Sequence, residues 1–147
     1  MNDKINSFTE DYWFLSNYSY SPINWNGNNY CSAEAAFQSA KTLDKNLQKQ
    51  FENLTPNEAK RLGRQIALRS DWEEVKEDIM YKVCFAKFTQ NNDLRRRLLA
   101  TGDAYLEEGN TWGDRIWGTV KGEGQNKLGK ILMTIRSEIK GGWYPND

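Results

Sequence analysis

The stretch Ser70-Asp71-Trp72-Glu73-Glu74-Val75-Lys76-Glu77-Asp78-Ile79-Met80-Tyr81-Lys82-Val83-Cys84-Phe85-Ala86-Lys87-Phe88 decides the fold class of this chain. Trp72, Val75, Ile79, Val83 and Ala86 recur in steps of three and four, the repeat of one helical face, and Met80, Cys84 and Phe88 widen the stripe. Ser70 followed by Glu73 has the form of a capping box, so a long helix is expected to start here. An apolar face this broad marks a central helix.

Working outward, Thr55-Pro56-Asn57-Glu58 combines an N-cap threonine, a proline in the first turn and a glutamate at the third position, and predicts a helix to about Ala67. Before it, Asp44 opens a helix running toward Leu54, and Ser32 caps one over Ala33 to Lys41. Asn26-Gly27 or Asn28-Asn29, between Ile23-x-Trp25 and Tyr30, predicts a short hairpin. On the other side, Asn91 or Asn92 caps a short helix over Asp93 to Ala100 that Gly102 closes, and Tyr105 to Glu108 reads as extended. The last helix, from about Asn126 to Lys140, places Leu128, Ile131, Leu132, Ile135 and Ile139 on one face and ends at Gly141. These elements define a mainly α (α+β) fold with a small N-terminal β hairpin. A length of 147 residues fits a single compact helical domain.

Composition excludes several function classes. Twenty Lys+Arg balance twenty Asp+Glu, so no global field draws the chain to duplex nucleic acid or an anionic membrane. No apolar run approaches the roughly 20 residues of a membrane span, and the first residues lack a signal-peptide pattern, so a cytoplasmic location is expected. Cys31 and Cys84 lie in no metal-ligand spacing and are expected to be reduced thiols. The chain has no histidine, which removes Ser-His-Asp, Cys-His and H-E-x-x-H chemistry together. Catalysis has to run on carboxylates, lysine, tyrosine or backbone dipoles, with no metal and no cofactor.

Two segments can carry such chemistry. On a helix from Ala33 to Lys41, Glu34, Gln38 and Lys41 stand within about 40° of one another and present an acid, an amide and an amine to one space. Ala33, Ala36, Phe37 and Ala40 form a neighbouring stripe that allows close helix packing. The competing reading is an ordinary solvated Glu/Lys face. The second segment is Asn110-Thr111-Trp112-Gly113-Asp114-Arg115-Ile116-Trp117-Gly118, followed by Gly122, Gly124 and Asn126. Its glycines let backbone approach a ligand, its indoles offer stacking faces, and Asp114 can hold ribose hydroxyls or move a proton. Its competing reading is a hairpin whose tryptophans plug the core. Arg95, Arg96 and Arg97 read as a solvated helix face.

The ordered pieces are Phe14-Leu15-Ser16-Asn17, Tyr30-x-Ser32-x-Glu34-x-x-Phe37-Gln38-x-x-Lys41, Ala59-Lys60-x-Leu62-Gly63-Arg64, Arg69-x-Asp71-Trp72, Ala86-Lys87-Phe88, Asp114-x-x-Trp117-Gly118 and Asn126-x-Leu128-Gly129. In order and spacing this set resembles the NADAR family, also called YbiA-like. The family's members include N-glycosidases acting on early riboflavin-pathway intermediates and enzymes that remove ADP-ribose from guanine bases. The resemblance places functional positions on Glu34, Trp72 and Asp114, and a lysine implicated in some members on Lys41. It makes Asn17, Gln38, Arg69, Trp117, Gly118 and Asn126 substrate-binding candidates. Ala35 stands where many relatives have histidine. A neighbouring helical residue points about 100° away, so that histidine is not the essential acid or base.

The implied activity is cleavage of a C1′–N bond, in which a carboxylate stabilises positive charge on the ribose while an acid assists the leaving base. A buried Lys41 could instead attack the opened sugar and form a Schiff base. The expected substrate is a small phosphorylated ribosyl or ADP-ribosyl compound, with nucleic acid a partner only when ADP-ribosylated, no membrane partner, and no oligomeric state fixed by the sequence. A non-catalytic ADP-ribose-binding module is the reading from another class. The first helix and the Gly109 to Gln125 loop are expected to form one cleft.

Overall fold

The computed structural model describes residues 3–142. In chain order the elements are β1 (Lys4–Ile5), a 3-10 helix (Glu10–Leu15), β2 (Ile23–Trp25), β3 (Asn28–Tyr30), α1 (Ala33–Ser39), α2 (Lys45–Lys49), α3 (Pro56–Gln65), α4 (Trp72–Gln90), α5 (Asn92–Ala100), β4 (Tyr105–Leu106) and α6 (Lys127–Lys140). The fold is mainly α, as the periodicities predict. The chain packs as two compact units, one of Asn17–Asn91 and the other of the described residues up to Ser16 and from Asn92 onward.

In the first unit, β2 and β3 pair antiparallel with Ile23 opposite Tyr30 and Trp25 opposite Asn28. The turn is Asn26-Gly27, both at positive φ (52° and 83°), the backbone that a two-residue hairpin requires and that Asn-Gly adopts at low cost. Helix α1 begins as predicted, with the Ser32 hydroxyl accepting the Ala35 N–H at 3.0 Å. It stops at Ser39, two residues short of the expected Lys41. Ala40 has ψ of −7° and the Lys41 N–H donates to the Gln38 carbonyl, so the last turn tightens toward 3-10 geometry.

Asp44 caps α2 by accepting from the Asn46 and Leu47 N–H groups, but α2 ends at Lys49, and Phe51 to Leu54 continue in turns with Phe51 buried. The full capping box forms at Thr55 and Glu58. The box expected at Ser70 and Glu73 does not. Asp71 occupies the cap position of α4 with no side-chain cap bond, because its carboxylate takes the Arg69 guanidinium at 2.6 and 3.0 Å. Trp72, Ile79, Met80, Val83, Cys84 and Phe88 are buried along α4, with Val75 and Ala86 half-buried.

The second unit holds a parallel pair absent from the sequence reading, β1 with β4, Lys4 opposite Tyr105 and Ile5 opposite Leu106. Two-residue strands leave no period to detect. Gly102, at φ +64°, closes α5. Leu128, Leu132, Ile135 and Ile139 of α6 are buried while Ile131 is half-buried. The arginine run is spread over the surface of α5: Arg95 bonds Asn92, Arg96 pairs with Asp93, and the Arg97 guanidinium lies over the Phe14 ring at 4.5 Å.

Candidate active site

Helix α1 is not a solvated Glu/Lys face. Ala33, Ala35, Ala36, Phe37, Gln38 and Ser39 are all buried, and of the whole helix only Glu34 is half-buried, with Lys41 half-buried just beyond its end. Two contacts fix this helix. A Cβ at Gly63 would overlap Gln38 Oε1, so the glycine leaves room for the Gln38 amide where α3 lies against α1. The Phe37 and Trp72 rings meet at 5.1 Å between centroids and 54° between planes, bracing α1 on the start of α4.

The polar groups then fall into place. Gln38 Nε2 donates to Glu34 Oε2 at 2.7 Å, a charge-assisted bond that sets the carboxylate's rotamer. The amide's other end, Oε1, is buried against Gly63 with no hydrogen-bond partner among the described residues. The Glu34 N–H donates to the Asn17 carbonyl at 3.0 Å, which anchors the helix start. Asn17 itself is buried, its amide donating to Met80 Sδ and accepting from the Cys84 thiol. Arg69 fastens the other end: its N–H donates to the Lys41 carbonyl at 2.8 Å and its guanidinium reaches the Ala40 carbonyl at 3.5 Å.

Burial holds the Lys41 ammonium below the usual lysine range, an effect that Glu34 opposes and Arg64, Lys60 and Lys76 reinforce. Burial raises the Tyr18 phenol above its ordinary value; Glu34 adds to that and Arg64 works against it. Glu34, Arg64, Lys60 and Lys76 thus bear electrostatically on Lys41, and Glu34 and Arg64 on Tyr18, with Lys76 already paired to Glu73 at 2.7 Å. Sequence reasoning missed Tyr18, Lys60, Arg64 and Lys76. Lys60 and Arg64 were findable, since they stand at i, i+4 on a correctly predicted helix; Tyr18 has no periodic signal. It also missed that Lys87 is fully buried. The Lys87 amine donates to Ser19 Oγ at 3.3 Å and is pushed down to about 8 by burial.

The other predicted site residues lie in the second unit. Asp114 Oδ1 accepts the N–H groups of Ile116 and Trp117, both at 2.9 Å, so half the carboxylate holds its own loop. Asn110 clasps the same residue, donating to its carbonyl and accepting its N–H. Asp114 Oδ2 takes no hydrogen bond from a described residue. Trp112 is 67% exposed and Trp117 half-buried, so the tryptophans do not plug a core. Gly118 is needed for close packing, because a Cβ there would overlap the Glu108 carbonyl. Asn126 is buried with its amide fully used, accepting from Glu108 N–H and donating to the Leu106 carbonyl and the Tyr105 hydroxyl. The structure therefore gathers Asn17, Glu34, Gln38, Lys41, Arg69 and Trp72 around α1, and Asp114, Trp117, Gly118 and Asn126 around the loop.

Among the described residues, no group of three or more His, Cys, Asp or Glu is placed to hold a metal ion. No described helix is long and apolar enough to cross a membrane.

The site thus belongs to the class that offers a carboxylate and an amine of lowered pKa amid cations, on a mainly helical protein with no histidine. Comparison with known proteins makes the class specific. The NADAR domain model matches residues 5–140. N-glycosidase YbiA of Shigella flexneri serotype 5b is 39% identical over 146 residues, covering 95% of this chain and 91% of that protein. The riboflavin biosynthesis protein VVA0006 of Vibrio vulnificus is 36% identical over 89% of this chain, which spans 36% of that longer protein. The NMR structure of the Escherichia coli protein YbiA superposes with a TM-score of 0.83 at 37% identity, covering 99% of this chain and 92% of that one. The chain belongs to the NADAR family, and it is an N-glycosidase, a hydrolase acting on N-glycosyl compounds.

Proposed function

We propose that this chain hydrolyses the C1′–N bond joining a phosphorylated ribose to a base-like amine, with Glu34, Lys41 and Asp114 as its reacting groups. The observation that carries this reading is the placement of Glu34 and Lys41: on an otherwise buried helix, the one carboxylate stays accessible and bears electrostatically on an amine with depressed pKa. A scaffold has no need of such a pair, and simple nucleotide binding does not either.

In the reaction the C1′–N bond breaks, its electron pair goes to the leaving nitrogen with a proton from an acid, and water supplies the hydroxyl to C1′. Glu34, oriented by Gln38, is the proton-transfer group and stabilises positive charge on the ribose. Asp114, with Oδ2 left over from its loop contacts, holds the ribose hydroxyls or assists the leaving group. Lys41, if it reacts covalently, displaces the base amine from the opened sugar to give an iminium that water then releases as the aldehyde. Trp72, held by its tilted contact with the Phe37 ring, shapes the sugar pocket. One family model over residues 5–140 supports treating the chain as one catalytic domain. Neither Cys31 nor Cys84 is in a disulfide, which suits the cytoplasm.

The substrate favoured is a phosphoribosylamino-pyrimidine of early riboflavin synthesis, in keeping with the name of the Vibrio relative and with the balanced charge of the chain. Incubation with such an intermediate and, separately, with ADP-ribosylated guanosine tests it. Release of ribose 5-phosphate from the first is expected. Release of ADP-ribose alone would transfer the chemistry to the second substrate, and binding with no release from either would make the chain a nucleotide-binding module.

A further inference from the structure

Helix α3 carries a charged face that the catalytic reading leaves unused. Asn57, Lys60, Arg61 and Arg64 line a groove with a cavity volume of about 230 Å³. On an ideal helix these positions fall within about 100° of arc. Three cations so close repel, and like charges at i, i+4 cost about 0.2–0.5 kcal/mol per pair, so helix stability is not their reason. Glu58 draws on Arg61, its own carboxylate already accepting the Thr55 N–H at 2.9 Å. Lys60 and Arg64 make no ion pair with any described residue. Their position is set by Ala59 and Gly63, the buried residues that seat α3 against Gln38 of α1, so the cationic face flanks the helix that bears Glu34.

We propose that this Lys60–Arg64 face of α3 is an anion subsite that takes the phosphoryl group of the ribosyl substrate. The inference rests on the proposed ribosyl chemistry and names where its phosphate sits. A guanidinium offers a two-donor fork to phosphate oxygens and an ammonium a point charge, and the pair neutralises the dianion of a phosphomonoester. Arg64 also acts on Lys41 and Tyr18, which ties the subsite to the reacting groups. A substrate anchored there would bring its C1′ end toward Glu34.

The test is a calorimetric titration at low ionic strength with ribose 5-phosphate, ADP-ribose and unphosphorylated ribose. Wild-type protein should bind ribose 5-phosphate at least about tenfold more tightly than ribose, the ratio expected from one or two charge-assisted hydrogen bonds. The double variant Lys60→Gln/Arg64→Gln should lose that advantage, and Lys45→Gln, an exposed lysine on α2, should keep it. Whichever of ribose 5-phosphate and ADP-ribose falls further in the double variant identifies the phosphoryl source. Amide shifts at residues 57–64 in the wild type report the location directly and do not depend on any variant folding. Equal affinity for ribose and ribose 5-phosphate, or a double variant as tight as wild type, overturns the subsite. Because the readout is binding, a subsite that fails in an enzyme that still turns over leaves the catalytic reading standing, and a phosphate-binding protein without turnover does the reverse.

Discussion

Helix α1 and the Gly109–Gln125 loop each carry one of the two carboxylates proposed to react, and they hold it in opposite ways. Glu34 is set by another side chain, Gln38, whose amide lies against a glycine on α3. Asp114 is set by its backbone, with Oδ1 bonded to the next-but-one and third N–H groups. A side-chain tether leaves the helix intact when the acid is changed. A backbone tether makes the acid part of the loop's own construction. Substitutions at the two positions therefore carry different information, and only one of them separates chemistry from architecture cleanly.

Asp114 should give the largest combined effect. Asp114→Ala removes the acceptor for two N–H groups, each worth about 0.5–1.5 kcal/mol, and the carboxylate with it, so thermal stability and turnover should fall together. Asp114→Asn keeps an oxygen for both donors. It should restore most of the melting temperature while turnover stays down by about 10²-fold or more, the scale of an acid–base group. If Asn restores activity along with stability, Asp114 is a loop residue alone.

The lysine of α1 sharpens the contrast by a smaller step. Burial lowers the Lys41 pKa, so its neutral, nucleophilic form appears at lower pH than for an ordinary lysine near 10.4. If the amine attacks the sugar, the rising limb of turnover against pH should lie below that ordinary range, and borohydride should trap a ribosyl adduct that mass spectrometry assigns to Lys41. Lys41→Arg should abolish trapping and most turnover, because arginine stays charged. Full turnover in this variant with no adduct in the wild type would leave proton transfer as the whole mechanism.

Much of this was legible in the sequence because helices advertise themselves. Caps at Ser32, Asp44 and Thr55, and the stripes of α4 and α6, set elements within a few residues of where they lie. The ends drifted where local bonds competed: Asp71 prefers Arg69 to the helix start, and α1 tightens before Lys41. The grouping of Glu34, Gln38 and Lys41 followed from spacing. That Glu34 and Lys41 would be the half-exposed positions of an otherwise buried segment did not, since that burial depends on packing against α3 and Trp72, which are distant in sequence. Lys87 illustrates the limit. Its charge predicts solvent, yet α4 turns it fully inward to Ser19. Tyr105 to Glu108 reads as extended and contains β4, but β1 and its parallel pairing with β4 were invisible because β1 is two residues long.

The most direct measurement is the rate of ribose 5-phosphate release from a phosphoribosylamino-pyrimidine by wild type and Glu34→Gln, with ribose 5-phosphate affinity taken on both. Gln keeps the shape and can still meet Gln38, so the fold and product binding should persist. The account predicts that turnover falls by about 10²–10⁴-fold while product affinity changes far less. Turnover equal to wild type in a folded Glu34→Gln protein would contradict it, and would return this helix face to a purely structural role.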